Sequence, residues 1–363
     1  MNKLISKELT KDFFKYSNMI ENRIKLKNLL SYNFNLIDTN TSFRKNFKND
    51  LLIRLAKRTT ELENLPYGLS AMPSINKISK WYIDSFTEIY NYDELNNNDE
   101  FKDILNNVYK RHTDTNVMIS EGIKELNINV SKRYHVDMFN CIKDNGHLPF
   151  GEFEVLNNSL DNFYTNRLSV RLLIDQYINF NNNKVDYIGV INKKTNVYNV
   201  VNNAKLDALY LSERHYGDVP DIKIKSLHNS ELCYIPSHLY FAIFEILKNS
   251  IRSVIESKKD NDITVIISGE DNIIIKITDL GTGIPFLDLE KIWYYSYTTL
   301  ENNFYNNDDF NLNGKNNTLS PLAGFGIGLP LSRSIVRFLG GEITLMSIEG
   351  HGTDIYITLP KEI

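Results

Sequence analysis

Cysteine is nearly absent: Cys141 and Cys233 are the two in 363 residues, far apart and outside any C-x-x-C pair. That excludes a disulfide framework and a thiolate zinc site, and makes a reducing compartment the default expectation. Charge of one sign is not in excess either. Lys and Arg number 41 against 45 Asp and Glu, a formal net charge of −4. Coating nucleic acid or an anionic membrane by bulk charge is thereby excluded. Long apolar runs are lacking. The best, Leu239 to Leu247, contains Glu245 and falls short of the ~20 residues of a membrane span. What is present is core material, 42% hydrophobic residues with 24% charged. That is the balance of a folded chain about two domains long.

At the amino terminus Lys3, Lys7, Lys11 and Lys15 recur every four residues, interrupted by Glu8 and Asp12. Transit peptides are normally Arg-rich and acid-poor, so the segment reads as an ordinary first helix, with any presequence removed or absent.

Asparagine clusters at 96–98, 181–183 and 302–317, polar patches that read as solvated loops or insertions. The texture changes at the middle one, which sets the expected division: a helical bundle over 1–183 and an α+β sandwich over 184–363. Upstream, apolar spacing is helical at Leu51, Leu52, Leu55, at Trp81, Ile83, Phe86, Ile89, and at Leu160, Phe163, Leu168, Leu172, Leu173. Pro66 and Pro73 punctuate two of these helices. Four or so long helices with no strand between them argue for a bundle. Downstream, Pro236 opens a helix to about Lys258. Ile263–Ser268 and Ile273–Thr278 form a hairpin around Gly269-Glu-Asp-Asn272, a helix follows Gly328, and strands run over 342–348 and 354–359.

Chemistry concentrates on one helix face. At ~100° per residue, Lys248, Asn249 and Arg252 fall within about 60° of Glu245. Leu239, Ile243, Leu247, Ile251 and Val254 take the other side as core. Such a polar stripe alone is a solvated face; its company changes the weighing. Asp279-Leu-Gly-Thr-Gly-Ile284 follows an apolar strand, where a carboxylate can accept from an exocyclic amine and Gly281 and Gly283 let a ring approach. Gly324-Phe-Gly-Ile-Gly-Leu329 opens a helix, where N–H groups at a positive terminus cradle phosphates. A Rossmann reading fails because an Asn-rich loop, not a strand, precedes these glycines. Gly314-Lys315 followed by Asn316 is no Walker A sequence.

In order, Glu-x-x-Lys-Asn, Asp-x-Gly-x-Gly and Gly-x-Gly-x-Gly-Leu resemble the three nucleotide boxes of the GHKL (Bergerat-fold) ATP-binding superfamily. That superfamily holds histidine kinases, Hsp90 chaperones, MutL, type II topoisomerases and mitochondrial dehydrogenase kinases. Histidine kinases share the domain order but use a phospho-accepting His followed by an acid, and none of the seven histidines here is so placed. Chaperone and topoisomerase relatives carry a transducer domain after the ATP domain, which is not expected here.

From about Leu51 onward the chain is similar to the pyruvate dehydrogenase kinase and branched-chain α-ketoacid dehydrogenase kinase family. The markers are Leu52-Ile-Arg-Leu-Ala56, Glu61-Leu-Glu-Asn-Leu-Pro-Tyr-Gly-Leu-Ser70, Trp81-Tyr-Ile-Asp-Ser-Phe86, Arg111-His112 and Leu160-Asp-Asn-Phe-Tyr-Thr-Asn-Arg167. Ile235-Pro-Ser-His-Leu-Tyr240, Pro321-Leu-Ala-Gly-Phe-Gly326 and Ser347-Ile-Glu-Gly-His-Gly-Thr-Asp354 continue them. The stretch from Glu61 leans toward the pyruvate dehydrogenase kinases. The resemblance implies an ATP- and Mg²⁺-dependent serine kinase that phosphorylates and inhibits the E1 α subunit of a mitochondrial α-ketoacid dehydrogenase complex. It further implies a matrix location, a homodimer, and docking on the lipoyl domain of E2.

Residue by residue, the resemblance makes Glu245 the general base, with His112 tuning it and Lys248 fixing it or offsetting phosphate charge. Asn249 ligates Mg²⁺, and Arg252 offsets phosphate. Asp279 takes the adenine amine with Gly281, Gly283 and Thr353 around it. Thr298, Thr299, Gly324, Phe325, Gly326, Ile327, Gly328 and Leu329 line the phosphate end, and about 300–323 form the lid. The plain alternative for His112 is a histidine hydrogen-bonded between helices. Departures are Thr282 at a position usually glycine, Tyr177 where a His usually follows Gln176, Ile327 where Tyr is usual, and an Asn-swollen lid. The family's long C-terminal tail is not expected here, which weakens the lipoyl-docking expectation. Three other readings stay open: the branched-chain complex as target, a histidine-autophosphorylating kinase, and a nucleotide-gated binding module without catalysis.

Overall fold

The computed structural model describes residues 7–22, 24, 26–31, 41–93, 98–144, 147–148, 151–180, 184–228, 230–295, 297–298 and 326–361. Contacts group the chain into two compact units, one of Met1–Thr195 with Leu232–Pro236 and one of Asn196–Glu231 with Ser237–Glu362.

The first unit carries α1 (Lys7–Ser17), α2 (Leu26–Ser31), α3 (Thr41–Glu63), α4 (Pro73–Asn91), α5 (Asn98–Arg111), α6 (Thr115–Tyr134), α7 (Met138–Asp144) and α8 (Phe153–Asn179). Leu51, Leu55, Ile83, Phe86, Leu160, Phe163 and Leu172 of α3, α4 and α8 are all buried. Burying each such side chain contributes roughly 1.5–3 kcal/mol. Between α3 and α4 a 3-10 turn, Pro66–Ala71, reverses the chain through left-handed Tyr67 (φ 60°) and Gly68 (φ 83°). Pro73 then sits at the start of α4, where a missing N–H costs nothing.

The bundle is not free of strands, contrary to the sequence expectation. β1 (His147–Leu148) and β2 (Gly151–Glu152) pair antiparallel just before α8. Their two-residue length gives no period for a sequence reading to detect. β3 (Tyr187–Ile188) and β4 (Ile191–Asn196) form a second short antiparallel pair. α9 (Val197–Tyr216) follows β4, capped where the Asn196 side chain accepts the Asn199 N–H at 3.0 Å.

The second unit adds β5 (Ile222–Ser226), while β6 (Glu231–Tyr234) joins β3 and β4 in the order β3-β4-β6. Then come α10 (Pro236–Ser257), β7 (Ile263–Ser268), β8 (Asn272–Asp279), α11 (Gly328–Phe338), β9 (Glu342–Ile348) and β10 (Gly352–Pro360). Their sheet runs β5-β7-β8-β10-β9, with β5 parallel to β7 and the other pairs antiparallel. Alternation on β8 sends Ile273, Ile275 and Ile277 to one buried face, opposite Leu359, Ile357 and Ile355 of β10. The next rung of the same ladder pairs Asp279 with Thr353. Both are buried, at 4% and 6% exposure. A hydrophobic ladder therefore ends in one polar rung, and that rung places the site.

Candidate functional site

Helix α10 divides its surface as its spacing dictates. Leu239, Ile243, Leu247, Ile251 and Val254 are buried, and the opposite stripe brings Glu245, Asn249, Arg252 and Ser253 to one cavity. The cavity, about 460 Å³ as bounded by the described residues, is closed by Asp279 and Gly283 of the turn after β8, Thr353 of β10, and Gly326, Gly328 and Leu329 at the start of α11. Thr298 lines it as well.

At one end the Asp279 carboxylate is buried. Burial pushes its pKa up, while hydrogen bonds from the Gly281 and Thr353 N–H groups and the Ser250 and Ser253 hydroxyls pull it back. The Gly281 N–H reaches Oδ1 at 3.1 Å and Ser253 Oγ donates to the same oxygen at 3.2 Å. Gly281 has a steric reason to be glycine, since a Cβ there would lie 2.2 Å from Ser253 Oγ and 2.5 Å from the Ser253 carbonyl carbon. The turn can meet α10 this closely only without a side chain.

At the other end stands Glu245, whose Oε1 pairs with Lys248 Nζ at 2.7 Å. Lys248 Nζ also lies over the Phe244 ring, 5.0 Å from its centroid. A Cβ on Gly328 would fall 2.2 Å from Glu245 Oε2, so the first turn of α11 approaches the carboxylate directly. That turn itself carries no acidic residue, so its positive end faces the Glu245 carboxylate and attracts negative charge. Asn249 is exposed, and among the described residues nothing hydrogen-bonds its amide. Arg252 Nε pairs with Glu256 at 2.8 Å.

Of the residues expected from sequence, Glu245, Asn249, Arg252, Asp279, Gly283, Thr298, Gly326, Gly328, Leu329 and Thr353 share this cavity. Lys248 stands off it on Glu245, Gly281 packs behind Asp279, and Ile327 is buried. Thr299, Gly324, Phe325 and the expected lid lie outside the described residues. Among the described residues, no group of three His, Cys, Asp or Glu is placed to hold a metal ion.

His112 belongs to the helical unit. It is buried, with Nε2 3.0 Å from Ser85 Oγ, its ring 4.2 Å from that of Tyr82, and its carbonyl accepting from Arg167 at 2.8 Å. Burial, then Arg167, Arg111 and Arg171, lower its pKa to about 3. The imidazole is neutral at any physiological pH.

Sequence reasoning missed Ser250 and Ser253, and noted Thr282 only as a departure from the family pattern. Ser253 lies one helical turn beyond Asn249 on the same stripe, a spacing that could have singled it out. Serine on a helix carries no other signal.

Residues 23–192 match the family of mitochondrial branched-chain alpha-ketoacid dehydrogenase kinases, and residues 234–363 match the histidine kinase-, DNA gyrase B- and HSP90-like ATPases. The mitochondrial pyruvate dehydrogenase (acetyl-transferring) kinase of Arabidopsis thaliana is 30% identical, over 99% of this chain and 95% of that protein. Isozyme 3 of the Homo sapiens enzyme is 30% identical over 98% and 87%. A probable mitochondrial kinase of the same kind from Caenorhabditis elegans is 31% identical over 90% and 80%.

Proposed function

We propose, from the premise that this chain belongs to the family of mitochondrial pyruvate dehydrogenase and branched-chain α-ketoacid dehydrogenase kinases, that it transfers the γ-phosphoryl group of ATP to a serine of the pyruvate dehydrogenase E1 α subunit and thereby inhibits it. One observation carries the reading: a carboxylate at each end of one cavity, Asp279 and Glu245, with the Asn249 amide between them on α10.

In this account Asp279 accepts from the adenine amine, with Thr353 beside it on the same rung. The Asn249 amide oxygen would hold Mg²⁺, a hard ion that needs few protein ligands, and the ion would supply charge neutralisation at the phosphates. Arg252, Thr298, Thr299 and the N–H groups from Gly324 to Leu329 hold the phosphate end. Glu245, fixed by Lys248, takes the serine proton as Oγ bonds to the γ-phosphorus and the bond to the β–γ bridging oxygen breaks, releasing ADP. Little covalent help is needed, so position and charge dominate. His112, carried over from the resemblance as the group that tunes Glu245, is a neutral imidazole that can exchange hydrogen bonds but adds no charge.

Residues 184–363 carry this chemistry and 1–183 serve regulation and docking on a lipoyl domain. Location is mitochondrial, in line with the relatives, and we assign the matrix. The homodimer is supported by β9, which ends the sheet among the described residues and exposes Met346 and Ile348 at 67% each. A second reading, the branched-chain E1 as target, is favoured by the family match over 23–192. The test is to incubate the protein with labelled ATP and each purified E1 in parallel. Serine label in the pyruvate dehydrogenase α subunit is expected; label confined to the branched-chain E1 selects the second reading, and label in neither overturns both.

A further inference from the structure

Ser253, which no nucleotide box includes, is the hub of a small hydroxyl network. Its Oγ donates to Asp279 Oδ1 at 3.2 Å, accepts the Thr282 N–H at 3.1 Å, and lies 3.3 Å from Thr282 Oγ1. The Ser253 hydroxyl donates to the carboxylate and its oxygen accepts the Thr282 N–H, while the Thr282 hydroxyl carries one proton with two acceptors in reach, Ser253 Oγ and the Gly283 carbonyl, each at 3.3 Å.

The consequence falls on Asp279. Gly281 N–H and Ser253 Oγ–H both bind Oδ1, which sets the rotation of the carboxyl group about its Cβ–Cγ bond. The directions of its remaining lone pairs follow from that rotation. Thr282 takes part where the family usually has glycine, so the clasp between α10 and this turn is a feature of this chain's own residues.

We propose that Ser253 is a positioning residue for base recognition: its hydroxyl orients the Asp279 carboxylate so that the cavity selects a base bearing an exocyclic amine over one without. This rests on the nucleotide reading given above. Ser253 touches neither the phosphates nor the transferred group in that reading, so its effect is confined to the base.

The test compares Kd values of ATP and purine riboside 5′-triphosphate, which lacks the amine, for the full-length wild type and for Ser253→Ala. The wild type should bind ATP more tightly than the analogue. In Ser253→Ala the ATP Kd should rise about tenfold, the scale of one hydrogen bond to a charged group, while the analogue's changes less than about threefold. The preference is a ratio taken within one variant, so a general loss of stability, read separately by thermal melting, cancels. Equal loss for both nucleotides, or an unchanged preference, overturns the positioning role and leaves ATP binding intact. A wild type that binds neither nucleotide overturns the underlying reading instead.

Discussion

Burial holds the Asp279 pKa above its ordinary value despite four hydrogen bonds. An acid whose folded pKa is raised favours the folded state at low pH and loses that contribution as pH rises through the folded value. Asp279→Asn removes the buried charge, so it should melt no lower than wild type at pH 8 while binding ATP at least tenfold more weakly, read by thermal melting beside nucleotide titration. Gly328→Ala probes the other end. The new Cβ meets only the tip of the Glu245 side chain, at 2.2 Å from Oε2. The carboxylate should therefore swing aside, with stability within about 1 kcal/mol of wild type and phosphoryl transfer down roughly 10–100-fold. Glycines, an acid before a turn and a stripe on one helix are visible in sequence because each is demanded by backbone sterics or helical period. Ser253 sits on that same stripe, but its role was hidden because what makes it matter is a neighbour 26 residues away at Asp279.

Individual elements were legible where their period was strong. The β-branched runs of β7 and β8 marked both strands, whereas their consecutive isoleucines hid which face is buried; the alternating burial that puts Asp279 two places from Ile277 on the inner face is visible only in the structure. The two-residue strands β1 to β3 offered no period, and β5 pairs parallel with β7 across α10, a partner no local pattern discloses. Helix α3 hides a further feature. Arg54 and Arg58 are buried and share Glu21 at 2.7 and 2.8 Å, and Arg58 also holds Glu61 at 2.9 Å. Burial raises the Glu61 pKa to about 7 in spite of Arg58. Its contribution to stability is complete below pH 4.5 and is lost as pH rises through about 7. Glu61→Gln should then raise stability by about 1–3 kcal/mol at pH 8 and change it little at pH 4.5, because Arg58 keeps Glu21 as its partner. Denaturant melts at the two pH values check the sign.

For the whole molecule, the fold class came from a contrast of textures on either side of the 181–183 cluster, and the candidate site from three short boxes whose described residues line one cavity of the second unit. Charge balance and scarce cysteine removed other classes before any motif was read. Assembly was carried only by resemblance, since a self-complementary surface leaves no local signature. If β9 joins two copies, Met346→Glu with Ile348→Lys should weaken self-association at least tenfold by sedimentation velocity while the melting temperature of the isolated subunit stays near wild type.

In the proposed reaction Glu245 acts on the acceptor hydroxyl and does not merely hold nucleotide. Its most direct test is single-turnover phosphoryl transfer to E1 by Glu245→Gln, with ATP affinity measured on the same protein. Transfer should fall at least a hundredfold with the ATP Kd within about threefold of wild type. Transfer at the wild-type rate would contradict that role.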